Sequence, residues 1–153
     1  NTGWLKSHGI IVTNKQGKRV SYNNISGNIQ NYRMRQPSGD SNALGFLKFE
    51  TTSSENIYLH DTNEKHLFEN NVRANSSGCI RVNNYMDFAQ ILLNQSQEYV
   101  NLQIDSDKTK IEKLSNQIPV YFTYSIAVAS PNNSISYFND IYSQTKFYTK
   151  KLN

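Results

Sequence analysis

The sequence predicts an α+β fold, mainly β, on three observations. Ten tyrosines and seven phenylalanines among 153 residues supply large amphipathic side chains that suit strands better than helices. Short alternating or β-branched segments bounded by turn residues recur along the chain. One segment alone, after the sole cysteine, has clear helical spacing. The length fits a single domain spanning 1–153 that can bury a core without disulfide or metal staples.

Taken in order, Ile10-Ile11-Val12 reads as a strand closed by the turn Thr13 to Gly17, and Arg19 to Tyr22 resumes extended character. Residues 23–41 are polar, carry Gly27, Pro37 and Gly39, and show little periodicity beyond an alternating patch near Tyr32 and Met34. A long irregular segment of this kind reads as a lid. Leu44 to Glu50 alternates and is a strand candidate, as is Asn56 to His60, on which Tyr58 and His60 share one face. Tyr85, Phe88, Ala89, Leu92 and Leu93 define the main helix, with Asn84 as N-cap and Asp87 in the first turn. Asp107 to Leu114 is read as a strand. Ile118 to Ala129 is apolar enough for a central strand entered at Pro119, and Pro131-Asn132-Asn133 turns it back into Ser134 to Phe138. The C-terminal end, with Lys146, Lys150 and Lys151, is expected to fray.

The net charge of +4 is mild and spread through the chain, and no basic stripe with interleaved aromatics argues for nucleic acid. No apolar run has the length of a bilayer crossing, so any membrane attachment would come from an anchor outside this chain. The start at Asn1-Thr2-Gly3-Trp4 reads as a domain excised from a longer exported protein. Three scattered histidines and one cysteine form no recognisable metal set, and no phosphate-binding glycine loop is present. No cofactor is implied. His8 and His66 read as surface or local structural residues.

The chemistry centres on Cys79, preceded by Gly78. A free thiol has a pKa of about 8.5, so only a few per cent is thiolate near neutral pH unless a base takes the proton. His60 is the candidate base. The backbone N–H groups of Gly78 and Cys79 are candidates to hold an oxyanion, and Gly78 lets a substrate approach without a Cβ. Tyr58 either adds its hydroxyl to that set or packs with its hydroxyl bonded elsewhere. Arg81 and Arg73 flank the cysteine and either anchor a substrate carboxylate or brace the loop through structural ion pairs.

The segments Ser41-Asn42-Ala43-Leu44-Gly45, Tyr58-Leu59-His60-Asp61-Thr62, Val72 through Val82, Ile118-Pro119-Val120-Tyr121 and Asp140-Ile141-Tyr142 together resemble the catalytic domain of the L,D-transpeptidases (YkuD-type), most like the longer Gram-negative periplasmic members. The family signature is a histidine, fourteen to seventeen residues, then Ser or Thr, His, Gly, Cys. Here His60 is followed by 15 residues and then Ser76-Ser77-Gly78-Cys79, so Ser77 stands where the common signature has its second histidine.

The resemblance implies a periplasmic or cell-envelope enzyme of mixed β-sheet core, with residues 23–41 as its capping insertion. It implies a Cys79 thiolate that attacks the third-position diamino acid of a peptidoglycan tetrapeptide stem, releases D-alanine and holds a thioester. An amine from a second stem then completes the cross-link. Carbapenem-type β-lactams would acylate the same thiol. Water as acceptor would make the site an L,D-carboxypeptidase, and a lipoprotein lysine would make it an anchoring enzyme. A wall-binding module that has lost catalysis, with Ser77 as its mark, is the reading from another class.

Overall fold

The computed structural model describes residues 2–106 and 109–146. They fall in two compact units, one running to residue 113 and the other from 114 on. The architecture is mixed α/β, built from short strands and few helices.

The first unit opens with helix α1 (Thr2–Ser7), followed by β1 (Ile11–Asn14). Asn14 closes β1 by accepting the N–H groups of Gln16 (3.1 Å) and Lys18 (2.9 Å) on its side-chain oxygen, the Asx chemistry expected of this turn. β1 pairs antiparallel with β2 (Tyr32–Arg35), with Ile11 opposite Arg35 and Asn14 opposite Tyr32. Leu5, Ile10 and Val12 form the buried centre here, covered by Val20, Tyr22, Ile25 and Tyr32. Tyr22 donates its hydroxyl to the Ile10 carbonyl at 2.9 Å. Within the stretch 23–41 expected as a lid, residues 32–35 complete a ladder and Ile25 and Tyr32 cover a core.

A second sheet orders β3 (Lys48–Phe49), β4 (Leu59–His60) and β5 (Ile80–Arg81). β3 and β4 are antiparallel, with Lys48 opposite His60. β4 and β5 are parallel, with Leu59 opposite Ile80 and His60 opposite Arg81. β3 and β4 are much shorter than the segments Leu44 to Glu50 and Asn56 to His60 from which they were expected.

Helix α2 (Tyr85–Leu93) packs on this sheet through Phe88, whose ring meets Phe49 edge-on at 4.8 Å, and Tyr85, stacked 6.0 Å from Phe46. Asn84 bonds the Asp87 carboxylate at 2.5 Å but does not cap the helix N–H groups. Asn94, in the left-handed conformation, turns the chain into α3 (Gln97–Ile104), where the Ser96 side chain caps the Tyr99 N–H at 3.3 Å. Ala89 and Val100 are the buried residues of the two helices.

No strand forms over 109–114, and Asp107 and Lys108 lie outside the described residues. The polar alternation there is used locally instead: Thr109 accepts from Arg35 at 3.4 Å and Glu112 accepts from Tyr99 at 3.3 Å. The C-terminal end expected to fray also lies outside the described residues, apart from Lys146.

In the second unit the central strand expected over Ile118 to Ala129 is corrected to β6 (Ala127–Ala129), which pairs only with β7 (Ile135–Tyr137) among the described residues. The reason is physical: β-branched and aromatic residues favour a pleated, half-buried surface but do not by themselves supply a ladder partner. The hairpin is as expected. Asn133 turns it at φ 62°, and Ser130 donates to the Ser134 carbonyl at 2.8 Å. Asp140 organises the chain beyond β7, accepting from the Tyr124 hydroxyl (2.8 Å), the N–H groups of Gln144 (2.9 Å) and Thr145 (2.8 Å), and the Thr145 hydroxyl (2.5 Å).

Candidate active site

The short three-stranded sheet places its side chains in two rows. The register sets Lys48, His60 and Arg81 abreast, and continuing it two residues along each strand sets Glu50, Tyr58 and Cys79 abreast. The parallel ladder extends through this point, since Ile80 donates to the Tyr58 carbonyl at 3.0 Å and Val82 to the His60 carbonyl at 2.8 Å. Alternation puts both rows on one face of the sheet, while Phe49 turns the other way toward α2.

That face borders an open cavity of about 380 Å³. Tyr58, His60, Ser77, Gly78, Cys79 and Arg81 all line it. Of the residues expected at the site, Arg73 alone does not: it is exposed, and its Nε donates to the Asn70 carbonyl at 2.8 Å. Cys79 is half-buried rather than walled in, with Sγ 3.8 Å from the Asn56 carbonyl.

His60 is 5% exposed, and its Nδ1 donates to the carbonyl of Asp61, the next residue in the chain. A carbonyl can only accept, so the proton resides on Nδ1 and the Nε2 lone pair is left to receive one. Asp61 is itself buried, and its carboxylate accepts the Phe46 N–H at 3.0 Å and pairs with Lys65. Gly45 makes that packing feasible. It has φ +60°, and a Cβ there would overlap the Asp61 carboxyl group.

The Tyr58 ring meets the His60 ring edge-on at 5.9 Å, and its hydroxyl lies beside the Cys79 side chain. Burial raises the phenol pKa above its usual value, the Cys79 sulfur raises it further through charge and hydrogen bonding, and Lys48, 5.1 Å from the ring centre, opposes the rise. Tyr58 therefore keeps its proton near neutral pH and can donate it to sulfur.

The loop before Cys79 is held by Ser76, whose hydroxyl donates to the Cys79 carbonyl at 2.6 Å and lies 3.4 Å from the Gly78 N–H. Gly78 has φ 147°, which favours a residue without Cβ. Arg81 pairs with Glu64 through Nη2 at 2.8 Å, while its buried Nε and Nη1 meet no hydrogen-bond partner among the described residues.

Sequence reading assigned no role of their own to Ser76, Glu64, Gly45 and Lys48. The register of β3 against β4 is the signal that could have found Lys48, because Leu44 to Glu50 and Asn56 to His60 were both legible as strands. Among the described residues no group of His, Cys, Asp and Glu is arranged to hold a metal ion, and no helix is long and apolar enough to cross a membrane.

Comparison with known proteins gives the chain's family. The family model for YkuD, the L,D-transpeptidase catalytic domain, matches residues 3–133. A protein of Haemophilus influenzae (strain ATCC 51907 / DSM 11121 / KW20 / Rd), provisionally named an L,D-transpeptidase, is 36% identical over 157 residues, covering 98% of this chain and 31% of that protein. The chain therefore spans about a third of the relative's length.

Proposed function

The chain belongs to the YkuD family of L,D-transpeptidase catalytic domains, and from that premise we propose that it cross-links peptidoglycan in the cell envelope through a cysteine thioester. What supports this most is that the sole cysteine and a histidine with a free Nε2 line one open cavity.

In the first half-reaction His60 takes the Cys79 proton, and the thiolate attacks the carbonyl of the third-position diamino acid of a tetrapeptide stem. The oxyanion is held by the N–H groups of Cys79 and Gly78, with Ser77 beside them. Tyr58 donates to sulfur while the thiolate forms. Collapse returns the proton to the departing D-alanine and leaves the acyl-enzyme. In the second half-reaction a stem amine attacks the thioester carbon, the C–N bond forms as the C–S bond breaks, and His60 passes the amine's proton to the thiolate. Arg81, which lines the cavity, attracts a donor carboxylate by its charge. Arg73 lies outside the cavity lining and braces its own loop through Asn70. The set needs no cofactor.

The direct test is intact-mass measurement after exposure to a carbapenem and, separately, to disaccharide tetrapeptide. A covalent adduct that vanishes in Cys79→Ala, together with a cross-linked dimer, is the expected result. Tripeptide without dimer would make water the acceptor and the enzyme a carboxypeptidase. No adduct on the native protein would overturn the reading in favour of a wall-binding module.

A further inference from the structure

The net charge of +4 is unevenly distributed. Before Asp40 the chain carries six basic residues and no acidic one, while the remainder holds ten basic against twelve acidic. Five of those six, Lys15, Lys18, Arg19, Arg33 and Arg35, belong to the β1 and β2 ladder or to the turn beside it.

The register sorts them by face. Thr13 stands opposite Arg33 on one side and Arg19 on the other, and Ile11 stands opposite Arg35. Arg19, Arg33 and Arg35 therefore share a face. The other face belongs to the core, through Val12 at 1% exposure and Val20 packed against it. All three arginines are exposed, as are Lys15 and Lys18 on the turn. None of the five takes part in an ion pair among the described residues. Arg35 donates Nη1 to the neutral Thr109 hydroxyl at 3.4 Å, which leaves its charge unbalanced.

The arrangement is an open array. Arg33 and Arg35 are about 7 Å apart along β2, and Arg19 and Arg33 about 10 Å apart across Thr13. Both cavities of the active-site region are lined by residues from Ala43 onward, so neither includes a residue of this face. A flat field of guanidinium groups suits a partner that presents many anions side by side rather than one small ligand. The residues on the face, Ile11, Thr13, Arg19, Ser21, Arg33 and Arg35, include no aromatic ring, so it lacks the stacking platform on which single-stranded nucleic acid binds.

We propose that this face docks the domain on an anionic phospholipid bilayer. A bilayer presents its phosphates in a plane, as the ladder presents its arginines, and each guanidinium fork matches phosphate oxygens. Lys15 and Lys18 add to the attraction. Each basic residue close to such a surface strengthens binding about fivefold. The effect fades within a Debye length, about 10 Å at 0.1 M salt, so cations elsewhere on the molecule contribute less.

The test mixes the full chain with vesicles of phosphatidylcholine, either alone or with about a third phosphatidylglycerol, and reads the bound fraction by flotation. Binding is expected to the anionic vesicles alone and should be lost at about 1 M salt. Arg33→Gln/Arg35→Gln should lower the partition coefficient about 25-fold, and Arg19→Gln about fivefold. Lys6→Gln/Arg73→Gln, which removes the same charge from α1 and from the loop that holds Arg73, should lower it by less than about fivefold. Arg33→Lys/Arg35→Lys retains the charge and should stay within about threefold of the native value. Equal binding to both vesicle types, no binding to the anionic vesicles, or an equal loss in the Lys6 and Arg73 variant would overturn the proposal. So would a loss in the lysine pair as large as in the glutamine pair, which would mark a seat for one discrete anion. Retention on sedimented peptidoglycan that depends on Arg33 and Arg35, without vesicle binding, would assign the face to wall carboxylates and overturn it too.

Discussion

Tyr58 and Cys79 stand abreast on neighbouring strands, which sets the phenol hydroxyl as a donor beside the sulfur. Replacing Tyr58 with Phe removes that donor and little else, because the ring still meets His60. One hydrogen bond contributes about 1 kcal/mol, so iodoacetamide alkylation of Cys79 at pH 7 should slow about fivefold in Tyr58→Phe. An unchanged alkylation rate would mean that the phenol only packs.

Arg81 gives half of its guanidinium to Glu64 and leaves Nε and Nη1 without a partner among the described residues. Lysine retains the charge but lacks the planar fork. Arg81→Lys should raise the donor concentration for half-maximal D-alanine release by about tenfold, while Arg73→Lys leaves it near the native value. Steady-state kinetics of D-alanine release measures both.

Gly45→Ala should destabilise the first unit by about 2–4 kcal/mol, combining a left-handed backbone penalty with an overlap against the Asp61 carboxyl. Urea unfolding reads the cost. Thiol alkylation should fall in the folded variant too, since displacing Asp61 moves the carbonyl that holds His60.

Asp140 carries the clearest pH dependence. The Thr145 hydroxyl first, then the Thr145 N–H, the Tyr124 hydroxyl and the Gln144 N–H, hold its carboxyl far below the usual carboxylate range, with desolvation opposing them. An unfolded aspartate titrates at about 3.9. The stabilisation is therefore complete above that value and is lost as pH falls through it toward the depressed folded value. Thermal unfolding of the native protein between pH 5 and 2.5 should show this decline, and Asp140→Asn should show a shallower one. Parallel curves would remove Asp140 from its place as the hub of that segment.

The parts of this molecule that could be read from the chain are those encoded locally. The helix Tyr85–Leu93, the turn at Asn132-Asn133 and the shared face of Tyr58 and His60 follow from periodicity and turn chemistry. Helix α3 was not legible because Val100 is its one buried residue and Leu102 is 69% exposed, which leaves no apolar stripe to recognise. Its cap, Ser96 with Glu98 two residues on, was the available signal. The reading of 118–129 as one strand failed because ladder partners are set by distant residues. At the candidate site, the spacing of His60 and Cys79 was the local signal that both would line one cavity. Glu64 and Lys48 were not legible, since an ion pair across 17 positions and a cross-strand register have no local pattern.

The imidazole of His60 is oriented by a peptide carbonyl, supplied by whichever amino acid follows it. A side-chain partner can be erased by one base change; a main-chain oxygen survives every substitution at its own position that leaves the local path intact. The tautomer of the ring is thus inherited with the backbone, and genetic drift among neighbouring side chains does not change its proton's address.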